Sequence, residues 1–214
     1  YYYNTIIIYP FASSSGVSIS NFMLLFYVRF WYMKIVLATP LFPPEIAEPA
    51  PYVKELAKRL GRSHEVTVIA YGRTPEKVPG VRIIPIRKGR PLPFRLLSFT
   101  RTLLREARRA DMLYAINGAS VELPLLLVSP FVRAPIFLAL ADHAAHERAP
   151  HKGATRIIEH LATNRAKSVL TTLPPERPEI LPLEPVPTEA LHAYEKAWDT
   201  HTSELESLFR HAHS

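Results

Sequence analysis

Cysteine is absent from the 214 residues, which excludes disulfide bonds and thiolate metal sites and fits a cytosolic location. An apolar run long enough to span a bilayer is also missing. MLLFYVRFWY, beginning at Met23, is broken by Arg29 and falls short of the roughly 20 apolar residues that a crossing needs. The same segment lacks the basic n-region and small-residue cleavage site of a secretory signal. No HExxH or similar metal motif is present. No metal is therefore expected at Asp142, His143, His146, Glu147 and His151. With no zinc-finger, RRM-type or helix-turn-helix signature, nucleic acid ranks last among the partners that a basic chain suggests, and none is expected.

Acids are scarce where bases are dense. Between Arg82 and Arg109 nine basic residues face the single acid Glu106, a local charge of +8 in a chain whose formal total is +7. Arg95, Arg101, Arg105, Arg108 and Arg109 fall in one helical pattern over 93–109, with Leu96, Leu103 and Ala107 on the inner stripe. Such a stretch reads as a solvated helix face or as a patch for an anionic membrane surface, at the inner face of the membrane for a cytoplasmic protein.

Residues 1–32 do not match the rest of the chain. The sequence opens YYYNTIIIYPF without a methionine, and Met33 begins MKIVLAT, which reads as a natural start. The segment is read as non-native upstream sequence, with a membrane-adhering tail as the alternative.

From Met33 the pattern is regular. KIVLAT (34–39), EVTVIAY (65–71), VRIIPI (81–86), DMLYAI (111–116), PIFLAL (135–140) and KSVLTT (167–172) are short apolar runs suited to buried parallel strands. Helical spacing connects them. Tyr52, Val53, Leu56, Ala57 and Leu60 form one stripe, opposite Lys54, Glu55, Lys58 and Arg59, and Gly61 closes the helix. Residues 119–131 and 153–164 read as helices too. Strand–helix alternation predicts a doubly wound, mostly parallel α/β sheet over 33–172. Residues 173–187 hold six prolines and read as a linker, and 188–214 as a C-terminal helical tail.

Several motifs carry a resemblance. Pro43-Pro44-Glu45 fit a P-P-x-x-G-G type loop after the first strand, Leu56-Ala57-Lys58-Arg59-Leu60 fit an L-A-x-x-L helix end, and His64-Glu65-Val66-Thr67-Val68 fit G-H-E-V-T-V. GVRIIPI (80–86) and RADMLYAIN (109–117) fit the next two strands. Over about two-thirds of its length the chain resembles the N-terminal, acceptor-side, Rossmann-like half of a family 4 glycosyltransferase, a GT-B architecture. The resemblance implies transfer of a hexosyl group from a nucleotide sugar to a hydroxyl acceptor, lipid-linked in many relatives. It implies no cofactor besides the nucleotide sugar as co-substrate. The donor loop would contain Pro44, Glu45, Ala47, Glu48 and Asn117. In the family a C-terminal helix also packs back on this domain; here Trp198, Leu205 and Leu208 would supply its apolar face.

Two departures qualify the expectation. Ala47-Glu48 stand where the family has Gly-Gly, adding a Cβ and a carboxylate where backbone amides would meet phosphate. From Met33 there is room for one of the family's two domains, so a truncated or degenerate member inactive alone is expected. A separate donor-domain protein would then be its partner, and a non-catalytic acceptor- or partner-binding module is the alternative. Glu176 and Glu184 reproduce the spacing of the family's donor-site glutamates without its glycines; they read as a remnant of that site or as solvated linker acids. Asp142 and His143 come after the fifth strand, at the edge where open α/β sheets place ligands. His143 is the candidate to accept the acceptor's hydroxyl proton or steady a leaving phosphate. A polar loop is the plainer reading of the pair.

Overall fold

The computed structural model describes residues 32–141, 153–175 and 186–213, apart from the side chains of Thr155 and His213. All fall in one unit, Tyr32–Ser214. The sequence readings at Asp142, His143, His146, Glu147, His151, Glu176 and Glu184, and almost all of the 1–32 segment, lie outside the described residues.

The elements are β1 (Lys34–Thr39), α1 (Ala50–Leu60), β2 (Glu65–Tyr71), β3 (Val81–Ile86), α2 (Leu92–Ala107), β4 (Met112–Ile116), α3 (Ala119–Val128) with a 3-10 turn Ser129–Phe131, β5 (Ile136–Ala139), α4 (Gly153–Arg165), β6 (Ser168–Leu170) and α5 (Thr188–His213). The six strands pair in parallel in the order β3-β2-β1-β4-β5-β6. This is the doubly wound Rossmann-like sheet that the strand–helix alternation predicts, with the order reversing between β1 and β4.

The central strands read as unbroken apolar runs because both faces are covered. Ile35 and Leu37 of β1 join one core with α1 and α5, while Val36 and Ala38 join the other with α2, α3 and α4. β3 is an edge strand and tolerates Pro85, which removes one backbone donor beside Ala70 of β2.

Two glycines have steric reasons. Gly61 caps α1 at φ −66°, so the left-handed turn expected of a terminal glycine is not its role. A Cβ there would sit 2.9 Å from Ala57 O and 3.0 Å from Val81 Cγ2, so the residue is small because β3 passes close by. Gly118, after β4, adopts φ +128°, which side chains rarely do, although a Cβ there would meet Pro40 only at an ordinary 3.7 Å.

α5 is docked. Its buried stripe is Tyr194, Trp198, His201, Leu205 and Phe209. Leu208, read as inward from the sequence, is exposed, and Phe209 takes its place against Phe137 with ring centroids 4.9 Å apart. α2 differs in a similar way: Phe99 and Leu103 are fully buried while Leu96 is only half-buried. Arg59, read as part of a solvated face, is buried. Its guanidinium donates to Glu55 (2.9 Å), Glu195 (2.5 Å) and Asp199 (2.6 Å), and lies 5.6 Å from the Trp198 ring centroid. α5 supplies two of those carboxylates, so the α1–α5 contact makes the burial tolerable.

Candidate functional site

Loops leaving the carboxyl ends of the strands gather at one edge of the sheet. The loop after β1 crosses that edge, held by Glu76 N–H donating to Pro43 O at 2.8 Å and by a 2.6 Å ion pair between Lys54 and Glu76. It divides the edge into two cavities.

The smaller, of about 280 Å³, opens toward β2 and β3. Phe42, Pro44, Glu45, Arg73, Thr74 and Lys88 line it, and Lys88 Nζ pairs with Glu45 Oε1 at 2.5 Å across it. Of the expected donor-loop residues, Pro44 and Glu45 are placed here.

The larger, of about 750 Å³, opens between α1 and α5 at the ends of β5 and β6. Glu48, Tyr52, Lys54, Ala141, Thr172 and Trp198 are among its walls. Glu48 is thus set apart from Glu45, and Ala47 lies exposed between them. Asn117 lines neither cavity. Its side chain is buried beneath the edge, and its backbone N–H donates to Ala139 O.

The start of α1 is poor in phosphate donors. Pro49 and Pro51 lack N–H groups, and the Ala50 N–H is taken by Ala47 O at 3.0 Å. Val53 N–H is taken by Pro49 O, leaving Tyr52 N–H as the one amide of that turn without a backbone acceptor among the described residues. With the Glu48 carboxylate beside it, this helix start repels rather than cradles a diphosphate.

Behind the larger cavity runs a buried polar chain. Tyr52 Oη lies 2.7 Å from Tyr114 Oη and 3.0 Å from His201 Nε2. Burial raises the pKa of both phenols and depresses that of His201. Each hydroxyl has one proton to place. A neutral imidazole accepting at Nε2 lets Tyr52 donate to His201 and Tyr114 donate to Tyr52, satisfying both. A second tie joins the start of β2 to α5: His64 Nδ1 accepts from Met33 N–H, and Nε2 faces Glu206 Oε1 at 3.3 Å. His64 beside it holds the Glu206 carboxyl below its usual range.

The expected basic patch divides. Arg95 leans over the Tyr71 ring, 5.2 Å from its centroid, and belongs to the α2–β2 contact. Arg105 shares Glu106 with Arg82. Burial opposes ionisation of Glu106, but these two guanidinium groups more than offset it and its pKa is lowered. Arg108 and Arg109 fall just beyond α2, which ends at Ala107, and Arg101 is exposed on its outer face.

The model of the glycosyl transferase 4-like domain matches residues 48–193, 146 of the 214. The chain belongs to the glycosyl transferase 4-like family. No curated protein matches it. Among solved structures, HepE from Anabaena in complex with UDP-glucose is 19% identical, with 77% of this chain and 40% of that one covered and a TM-score of 0.46. HepE with UDP and glucose is 19% identical over 64% of this chain and 37% of that one, at 0.45. The C-terminal domain of the coenzyme A biosynthesis protein CoaBC is 9% identical over 56% and 69%, at 0.36. The chain spans about two-fifths of the HepE length. Family membership makes the chain glycosyltransferase-like; the missing amides and the Glu48 carboxylate at the start of α1 are where it departs from what a donor diphosphate needs.

Proposed function

We propose that this chain is the acceptor-side half of a glycosyltransferase, moving a hexosyl group from a nucleotide sugar to a hydroxyl acceptor, with a donor-binding domain as its partner. The supporting observation is the 750 Å³ cavity at the carboxyl edge. It is walled by Ala141, whose next two residues are Asp142 and His143. Thr171 and Thr172 offer hydroxyls and Glu48 a carboxylate, while Glu55 is engaged by Arg59 and Lys54 by Glu76. That lining suits a neutral, hydroxyl-rich acceptor better than a phosphate. In this reading His143 takes the acceptor's hydroxyl proton as the oxygen attacks the sugar's anomeric carbon, Asp142 steadies the imidazolium, and the diphosphate leaves toward the donor domain.

The poverty of donors at the start of α1 favours a second reading, a non-catalytic module that binds acceptor or partner. Calorimetry of the full chain with simple glycosides, followed by a nucleotide-release assay from UDP-glucose with a separately expressed donor-binding domain supplied, separates the two. Nucleotide release that needs a glycoside and is lost in His143→Ala supports transfer. Glycoside binding with no turnover even when the donor-binding domain is present supports the module, and absence of glycoside binding defeats both.

A further inference from the structure

The two helical layers present different outer surfaces. Of the ten large apolar residues left exposed among the described residues, seven lie on α2, α3 with its 3-10 turn, and α4; the α1–α5 layer exposes only Leu208. On α2 the contrast is sharpest. Its inner stripe, Phe99, Leu103 and Ala107, is spent in the core. Its outer stripe runs Phe94, Leu97, Arg101, Arg105, spaced three and four residues apart along one face. Phe94 is 62% exposed and Leu97 57%. With Arg90 from the preceding loop, these residues line an open groove of about 490 Å³.

The charge here is uncompensated. Glu106 is the single acid between Arg82 and Arg109, and it is engaged by Arg82 and Arg105. Arg90 and Arg101 have no carboxylate partner among the described residues. Large apolar side chains interleaved with free guanidinium groups on a solvent face match an interfacial helix, whose apolar groups enter a headgroup layer while cations meet phosphates. A second copy of the same surface would meet like charge. Nucleic acid would use the arginines but leave Phe94 and Leu97 without purpose.

We propose that the outer face of α2 rests on an anionic lipid bilayer, Phe94 and Leu97 entering the headgroup region and Arg90 and Arg101 binding lipid phosphates. α2 begins just after β3, so its apolar end lies at the carboxyl edge of the sheet, where the two cavities open. This surface does not depend on glycosyl transfer.

The test is co-sedimentation of the full chain with phosphatidylcholine vesicles, with and without phosphatidylglycerol, at low and high salt. Binding is expected only with phosphatidylglycerol and weakens as salt rises. Arg90→Ala and Arg101→Ala each weaken it about fivefold, and Phe94→Ser about tenfold. Lys196→Ala, an exposed basic residue on α5, changes it less than twofold. All four positions are exposed or in a loop, so melting temperatures stay unchanged. No binding to either vesicle, equal binding to both, or a loss from Lys196→Ala as large as from Arg101→Ala overturns the proposal. So does binding to a duplex oligonucleotide without vesicle binding, which reassigns the arginines to nucleic acid.

Discussion

Tyr52 and His201 are 149 residues apart in sequence and 3.0 Å apart in space, hydroxyl to imidazole. The bond ties α5 to α1, and Tyr114 behind it makes the tie sensitive to protonation. If His201 gains a proton, Nε2 donates to Tyr52, Tyr52 turns to donate to Tyr114, and the Tyr114 hydroxyl proton is left without an acceptor among the described residues. A buried orphan donor costs about 1–3 kcal/mol.

Stability should therefore depend on pH. Burial depresses the His201 pKa below its ordinary 6.5, so the unfolded chain takes up this proton at higher pH than the folded one. Stability is full above about pH 6.5 and falls as pH drops through and below that value. Neighbouring Glu204 partly opposes the depression. The Glu206 carboxyl, held low by His64, adds a separate loss as pH falls below about 4.5. Chemical denaturation against pH should show both steps, and His201→Gln should remove only the upper one. An upper step that survives the substitution contradicts this assignment.

Arg59 should be hard to replace. Arg59→Met keeps the stem but leaves Glu55, Glu195 and Asp199 without their shared cation. Glu195 and Asp199 are well exposed, so solvent screens much of their attraction. A loss of about 1–3 kcal/mol is expected, mostly from the buried guanidinium's hydrogen bonds. Arg59→Lys should recover less than half, because one ammonium cannot serve three carboxylates in a fork. Urea unfolding of the three proteins checks this.

The docking stripe of α5 gives a paired comparison. Phe209→Ala should cost about 3–5 kcal/mol, whereas Leu208→Ala, one residue away and exposed, should cost less than about 0.5 kcal/mol. In a Trp31→Phe background, Trp198 emission should be blue-shifted in the native chain and move to the red when Phe209 is removed. Equal costs at 208 and 209 would falsify the stripe.

At the carboxyl edge, Glu48→Gln should strengthen UDP binding about fivefold if a diphosphate approaches the start of α1, since one repelling charge is removed. Restoring glycines at Ala47 and Glu48 should add little more, because Pro49 and Pro51 still withhold amides. Calorimetric titration of the variants measures both effects, and unchanged affinity in both means that this loop does not face phosphate.

The strands were legible because β1, β2 and β4 are covered on both faces, which leaves an apolar run that local sequence cannot disguise. The α5 stripe was harder. Apolar spacing points to Leu208, whereas the buried stripe passes through His201, a polar residue whose partner is on α1. Arg59 was hidden for the same reason, since two of the carboxylates that make its burial tolerable lie some 140 positions later. The two cavities lie at the strand ends, where an open parallel sheet places ligands, but Trp198 as a cavity wall could not be read from the sequence, because it depends on where a distant helix docks.

The packing of Phe209 on Phe137 and of Trp198 beside Tyr52 has a consequence during synthesis. At about 5–20 residues per second, the end of α1 is synthesised roughly 7–30 s before Phe209 is added. Throughout that interval the part of the sheet's α1 face that α5 covers has no helix over it, while α2 and α3 can already close the other side of the sheet. The nascent chain is therefore one-sided, with a greasy face of Val53, Leu56, Tyr114 and Phe137 open to chaperones or to aggregation. A stall late in translation should be more damaging to this protein than one at its middle.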